Sequence, residues 1–562
     1  MARTENNSAT YASSGNPCLD LFFHVVPDTP AQRVRALVAV AWAHDPLTAL
    51  KLVANLRGVR GTGKSDREGL YAAALWMHER YPKTLACNLP ALAEFGYLKD
   101  FPELLYRLIH GADTRKLAKA KAGTEKIRRQ VAQDRAARFA GRKRARGDSA
   151  APQQDAGAPV PVLADFVSNK PGAAAAAPME TAVLEEDVDQ KLEAMEVVDH
   201  KEVAKKDNHM MTKGVPKVAK LAVQSLEAYY GDGAYRFLFD CVAQFFADLL
   251  ASDLQQLVPG GTKSKIGLAA KCPDYAELSE EHYAYRVLHR LRREVLVPLR
   301  KVLELPEVYM SAQRWSELPT TRVASVAMRR YKALFKKHDE ARFDKYLEDV
   351  EAGKAKIAAG ALLPHEIAAA AFRGEADDVS ELQWRRMVED LRKKRSLSNC
   401  IAVCDVSGSM DGTPMEVFVA LGLLISELSE KPWANRAVFD RILRTAADGR
   451  LPKDKMIRTV FVFSDMEFDE ASASPWETDY QAICRKFRDA GYGDAVPQIV
   501  FWNLRDSQST PVTSTQPGVA MVSGFSKNLV KLFLENDGVV SPEAVMKAAF
   551  SGEEYQKLAV FD

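Results

Sequence analysis

At 562 residues the chain exceeds what one hydrophobic core can hold, because single cores stop growing at about 250 to 300 residues, so more than one domain is expected. Apolar and charged fractions of 47% and 27% are those of an ordinary globular protein, and no stretch reaches the roughly 18 apolar residues that a membrane span needs. A net charge of +2 rules out arguing a partner from total charge, since it hides a basic segment followed by an acidic one.

The polar start from Met1 to Ser8 carries no apolar signal region. Seven cysteines, at 18, 87, 241, 272, 400, 404 and 484, form no C-x-x-C pair, which predicts reduced thiols in a cytoplasmic or nuclear protein. After a short apolar patch at 19–26, Thr29 as N-cap before Pro30 predicts a helix with Val34, Leu37, Val38, Ala41 and Trp42 on one face. Asp45-Pro46 repeats that signal for a helix through Leu56, and helical patterns follow near 66–80, 84–95 and 99–110. Such joints predict an α-helical repeat, solenoid or bundle over 1–114.

Residues 58–65 match G-x-x-x-x-G-K-S, the phosphate-cradling loop of many nucleotidases. That loop needs a buried strand before it, and 47–56 shows helical spacing instead. Ser65 with Glu68 reads as a capping box. The expectation is therefore no ATP at Lys64, unchanged stability on Lys64→Ala, and a lost N-cap on Ser65→Ala.

Between Arg115 and Arg146, thirteen basic residues face only Glu125 and Asp134. Counterion release would draw RNA or another polyanion to such an arm, above all at Arg128, Arg129, Arg142, Lys143 and Arg144, and the scarcity of interleaved aromatics, Phe139 alone, argues against base reading. Residues 141–146 equally fit a nuclear-import signal, and a solvated charged helix explains the same run. An Ala/Pro-rich stretch at 150–178 and an acidic one at 180–199 complete a flexible linker over 115–209. Helical patterning returns over 210–395; His282 and His289 lie too far apart to grip one metal ion without other ligands, and with His365 they read as structural.

The run Cys400-Ile401-Ala402-Val403-Cys404 ends abruptly in Asp405, Ser407 and Ser409, and a helical pattern follows at 414–430. A parallel α/β unit with a strand buried on both faces is expected, with ligands beyond the strand's carboxyl end. One carboxylate and two hydroxyls in a tight turn suit Mg²⁺, which takes one or two carboxylates and keeps several waters. The competing reading is that the turn only caps the next helix.

The stretch resembles the D-x-S-x-S metal-ion-dependent adhesion site of von Willebrand factor A-type (vWA) domains. That resemblance implies a Rossmann-like α/β vWA domain over 396–562, a further metal ligand in Asp465 after the strand at 459–464, and a loop Thr completing the site. Residues 55–64 resemble the Arg- and Gly-rich helix joint of TROVE modules, the helical RNA-binding part of Ro ribonucleoprotein autoantigens, which also precede a vWA domain. The nearest resemblance is to an uncharacterised family common in plants and found in some large viruses, carried by 43–52, 296–306, 315–319 and 463–468.

Two joints depart from those patterns. At 270–275 one helical pattern runs straight into another, where relatives carry an extra helical stretch. At 431–436 the helices at 414–430 and 437–448 meet without room for two strands that a vWA sheet inserts, and no Thr stands between Thr413 and Thr445. A product lacking internal segments and a genuine variant without metal dependence both fit. Either way the sheet is truncated, its 400–406 strand becomes an edge open to oligomerisation, and Mg²⁺ binding is weak.

The expected function is a non-enzymatic binding or scaffold protein, holding RNA through helices and arm and a protein partner through the vWA-like domain. The alternative is a metal-dependent phosphatase-like hydrolase with Asp405 as nucleophile, similar to haloacid dehalogenases. Those enzymes need a second Asp two residues on, where Ser407 stands. No G-x-S-x-G or H-E-x-x-H motif supports another hydrolase.

Overall fold

The computed structural model describes residues 2–124, 217–269, 290–429, 452, 456–468 and 477–562, apart from 120, 259, 268, 373, 375, 376, 394–396, 398, 399, 406 and 536–540. The chain opens with short antiparallel strands β1 (Ala2–Arg3) and β2 (Ala9–Thr10). Helices α1 (Pro17–His24), α2 (Ala31–His44), α3 (Pro46–Arg57), α4 (Arg67–Arg80), α5 (Pro82–Cys87), α6 (Leu89–Phe95) and α7 (Asp100–His110) follow.

Their boundaries obey local chemistry, with corrections at Thr29, at Ser65 and over 84–95. The apolar patch at 19–26 is mostly helical: Asn16 caps α1 by accepting from the N–H groups of Cys18 and Leu19, and Pro17 stands in its first turn. Thr29 does not cap α2; its hydroxyl bonds to the His24 carbonyl and accepts the Val26 N–H, leaving Pro30 as the uncapped start. Ser65 does not cap α4 either. It sits in the left-handed region (φ 60°), and Asp66 accepts the Gly69 N–H in its place. Asp45 caps α3 as expected, through the Thr48 N–H. The helix expected at 84–95 is two helices, divided at Asn88.

Helices resume with α8 (Lys217–Gly231) and α9 (Gly233–Gln255) and continue through α10 (Ser325–Glu351, interrupted at Asp339), α11 (Pro364–Phe372) and α12 (Asp378–Arg392). No described helix is long and apolar enough to cross a membrane. The carboxyl-terminal part holds β3 (Cys400–Cys404), α13 (Thr413–Leu428), β4 (Thr459–Ser464), α14 (Asp479–Asp489), β5 (Gln498–Asn503) and β6 (Val519–Ser523). The four strands pair in parallel in the order β3-β4-β5-β6. Continuous apolar runs such as Val460 to Phe463 and Ile499 to Trp502 are buried throughout, as a sheet covered on both faces requires. β3 is buried only at Cys400 and Ile401, and it lies at the end of the sheet among the described strands.

Residues Met1–His110 and Gly214–Asp562 form one compact unit, so the helices and the sheet on either side of the linker share a body. α1 packs on β6, with Leu19, Leu21, Phe22 and Phe23 buried. Residues Gly111–Lys213 form the second unit. The basic-arm residues Arg128, Arg129, Arg142, Lys143 and Arg144, together with His282 and His289, lie outside the described residues.

Candidate metal centre at the carboxyl end of the sheet

The parallel register sets Cys404 beside Phe463, so the chain leaves β3 and β4 side by side and the Asp405 N–H still reaches the Phe463 carbonyl at 3.0 Å. Asp405 Oδ1 accepts the Ser407 N–H at 2.9 Å, and Oδ2 accepts the Ser464 hydroxyl at 3.0 Å. The Ser407 and Ser409 hydroxyls lie 2.8 Å apart on the exposed side of the turn. They do not cap the following helix: α13 starts behind Gly412 with no side-chain cap.

Asp465 is brought to the same place from the next strand but sits deeper, 5% exposed. Its Oδ1 accepts the Glu467 N–H at 3.1 Å and lies 3.5 Å from Ser464 Oγ. Ser464 therefore links the two aspartates, and its oxygen also accepts the Met466 N–H at 3.0 Å, where Met466 takes a left-handed φ of 65°. Ser464 is a residue of this site that no sequence motif marks. Its signal was positional, a hydroxyl that the parallel register sets beside Asp405.

A second carboxylate group stands further along. Glu467 Oε1 accepts the hydroxyls of Ser507 (2.7 Å) and Ser509 (2.8 Å), and Oε2 accepts the Glu5 N–H (2.7 Å). The amino-terminal segment is tied to the same loops by Thr4 Oγ1 to the Phe468 carbonyl (2.8 Å), Asn6 Nδ2 to the Glu467 carbonyl (2.7 Å) and a Tyr11–Thr510 bridge. These residues were not foreseen, because the contacts span the length of the chain.

Among the described residues no three His, Cys, Asp or Glu side chains converge as a metal-holding group. The donor set at Asp405, Ser407 and Ser409 is instead one carboxylate with two hydroxyls, all oxygen, with Asp465 reached through Ser464. That chemistry fits a hard cation that keeps most of its waters.

The nucleotide-loop look-alike does something else. Gly58 and Gly63 approach so closely that a Cβ on either would fall within 2.7 Å of the other's backbone. This turns Lys64 inward, where it is 2% exposed. Its ammonium donates to the Phe22 carbonyl, to the Val25 carbonyl at 2.9 Å and to Ser523 Oγ at 2.6 Å, joining the end of α1 to the end of β6. Burial pushes its pKa down to about 7. Lys64 is thus a core residue, and the expectation that Lys64→Ala leaves stability unchanged is overturned. His365 is half-buried beside the Phe525 ring, and burial pushes its pKa down to about 4.

Residues 4–278 and 272–397 match a family described as Domain of unknown function (DUF2828). Residues 399–438 and 434–559 match Domain of unknown function (DUF7788). Each match runs in two pieces, and the overlaps at 272–278 and 434–438 fall on the two joints where helical patterns run together. The chain is also similar to an uncharacterized protein, L728, of Acanthamoeba polyphaga mimivirus, at 29% identity over 357 residues. That alignment covers 52% of this chain and 62% of the viral protein. No solved structure matches the chain.

Proposed function

We propose that this chain, which belongs to the DUF2828 family of domains of unknown function, is a non-enzymatic binding protein with a vWA-like sheet for a protein partner and a TROVE-like helical part, with its basic arm, for RNA. The observation that carries the first half is the exposed Ser407–Ser409 hydroxyl pair, 2.8 Å apart beside Asp405 and unused for capping. Asp405, Ser407 and Ser409 would hold Mg²⁺, with Asp465 behind Ser464. A bound Mg²⁺ would supply a hard Lewis acid to which a partner's carboxylate bridges. The end position of β3 among the described strands supports the oligomer reading.

Calorimetric titration of Mg²⁺ into the full chain tests this. We expect a weak dissociation constant on the order of 1 mM, lost in Asp405→Asn and in the double variant Ser407→Ala, Ser409→Ala. The same preparations should release no phosphate from p-nitrophenyl phosphate. Heats unchanged by Asp405→Asn would remove the site, and phosphate release abolished by Asp405→Asn would favour the hydrolase instead.

The RNA half rests on the density of basic residues at 115–146. Replacing Arg128, Arg129, Arg142, Lys143 and Arg144 by Gln should reduce the slope of log affinity against log salt for single-stranded RNA by about 3.5. An unaltered slope would take the arm out of the binding surface.

A further inference from the structure

Residues 558–562 lie against α5 and the Asn88 that follows it, and they are attached through their backbone and the Asp562 carboxylate. Asn88, 2% exposed, donates from Nδ2 to the Ala559 carbonyl at 2.7 Å and accepts the Ala559 N–H at 3.0 Å. Thr84, fully buried, accepts the N–H groups of Phe561 (2.9 Å) and Asp562 (3.2 Å) at Oγ1, and its hydroxyl donates to Asp562 Oδ1 at 2.5 Å. The Asp562 carboxylate also accepts the N–H groups of Lys83 (2.8 Å) and Thr84 (2.9 Å).

Apolar side chains contribute little by comparison. Leu558 is the buried anchor at 4% exposed, while Val560 and Phe561 stand 39% and 55% exposed. A segment that belonged to the core would bury its largest apolar side chain, and this one leaves Phe561 outside. Backbone pairing gives affinity and a few side chains give selectivity, which is how proteins hold extended peptides. Attachment by hydrogen bonds that each net about 1 kcal/mol lets such a segment leave while the core stays closed.

We infer that Thr84 and Asn88 form a peptide-binding site for an extended segment of the pattern Leu-x-x-x-Asp, filled in cis by residues 558–562 and open to a partner protein carrying that pattern when the cis segment leaves. This stands independently of any metal at Asp405. The tethered segment competes at high effective concentration, so a free peptide binds the unaltered chain weakly.

The test uses the full chain carrying Ala559→Pro, which deletes the N–H that Asn88 accepts, and a fluorescein-labelled peptide of residues 553–562 read by polarisation. Full chain with Asp562→Lys, an exposed position, releases the same segment without a proline. Both released chains should bind the peptide at least tenfold more tightly than the unaltered chain does. A peptide with Asp562→Lys, and a released chain with Asn88→Ala added, should each lose about tenfold or more. Released chains that stay folded and bind no peptide, or that bind the Asp562→Lys peptide equally well, would overturn the inference. Unfolding of both released chains would overturn it too, since the segment would then be core.

Discussion

Lys64→Ala is expected to destabilise the folded chain by about 2.5 kcal/mol or more, since three buried methylenes beyond Cβ are lost at about 0.8 kcal/mol each and the Phe22 and Val25 carbonyls lose a donor. Urea unfolding followed by circular dichroism measures this directly; a surface lysine would cost less than about 0.5 kcal/mol. The cost also depends on pH, with a definite sign. Burial lowers the Lys64 pKa from 10.5 to about 7 in the folded chain, so between those values the unfolded chain holds the extra proton. Stability from this residue therefore rises as pH climbs through about 7 towards 10.5. Lys64→Met, which keeps the volume, should fall further behind the unaltered chain at about pH 9.5 than at about pH 6.5. A constant difference would show that the amine titrates as if in water.

Asp100→Ala should cost about 3 to 5 kcal/mol, the penalty for stranding a buried charge. Arg57 Nε and Nη2 donate to the Asp100 carboxylate at 2.7 and 3.3 Å, and both side chains are under 10% exposed, at 7% and 4%. Asp100 also accepts the Tyr71 hydroxyl at 2.8 Å and the Tyr97 N–H at 2.9 Å, and the Arg57 guanidinium lies 5.0 Å from the Tyr97 ring centre. Removing the acid leaves the guanidinium without its hydrogen-bonded counter-charge. Replacing both partners by Leu should recover most of the loss, because the pair repays little more than its own desolvation. The control is Glu79→Ala, which breaks the exposed pair with Arg35 and should stay within about 1 kcal/mol. Equal losses at Asp100 and Glu79 in urea unfolding would sink the buried-network account. Arg57 is accordingly a structural arginine, even though it stands in the joint that resembles an RNA-binding one.

Features carried by adjacent residues were legible in the sequence. The apolar runs of β4 and β5, the Asp45 cap and the Asp405-Ser407-Ser409 turn each need only a few neighbouring residues to declare themselves. What failed depended on remote partners. Ser65 and Asp66 offer two caps for one helix, and the close approach of Gly58 to Gly63 decides between them. Asn88 divides α5 from α6 while pairing with the Ala559 backbone, 471 residues away in sequence. Ser464 joins the two aspartates only because β3 and β4 run parallel in one register, and Glu467 finds Ser507 and Glu5 only once both chain segments are in place.

The Lys64–Ser523 clasp also sets a schedule for synthesis. Its two halves are 459 residues apart, so at about 5 to 20 residues per second roughly 20 to 90 s separate their emergence from the ribosome. Throughout that interval α1 has no β6 to lie against, and Leu19, Phe22 and Phe23 lack the sheet that covers them in the finished molecule. The amino-terminal helices are thus long-lived nascent structures with an open apolar flank, the kind of surface that holding chaperones engage. Translation speed through the linker and the helices after it becomes a determinant of yield: slower passage lengthens the exposure, and the compact unit closes only when its last strand arrives.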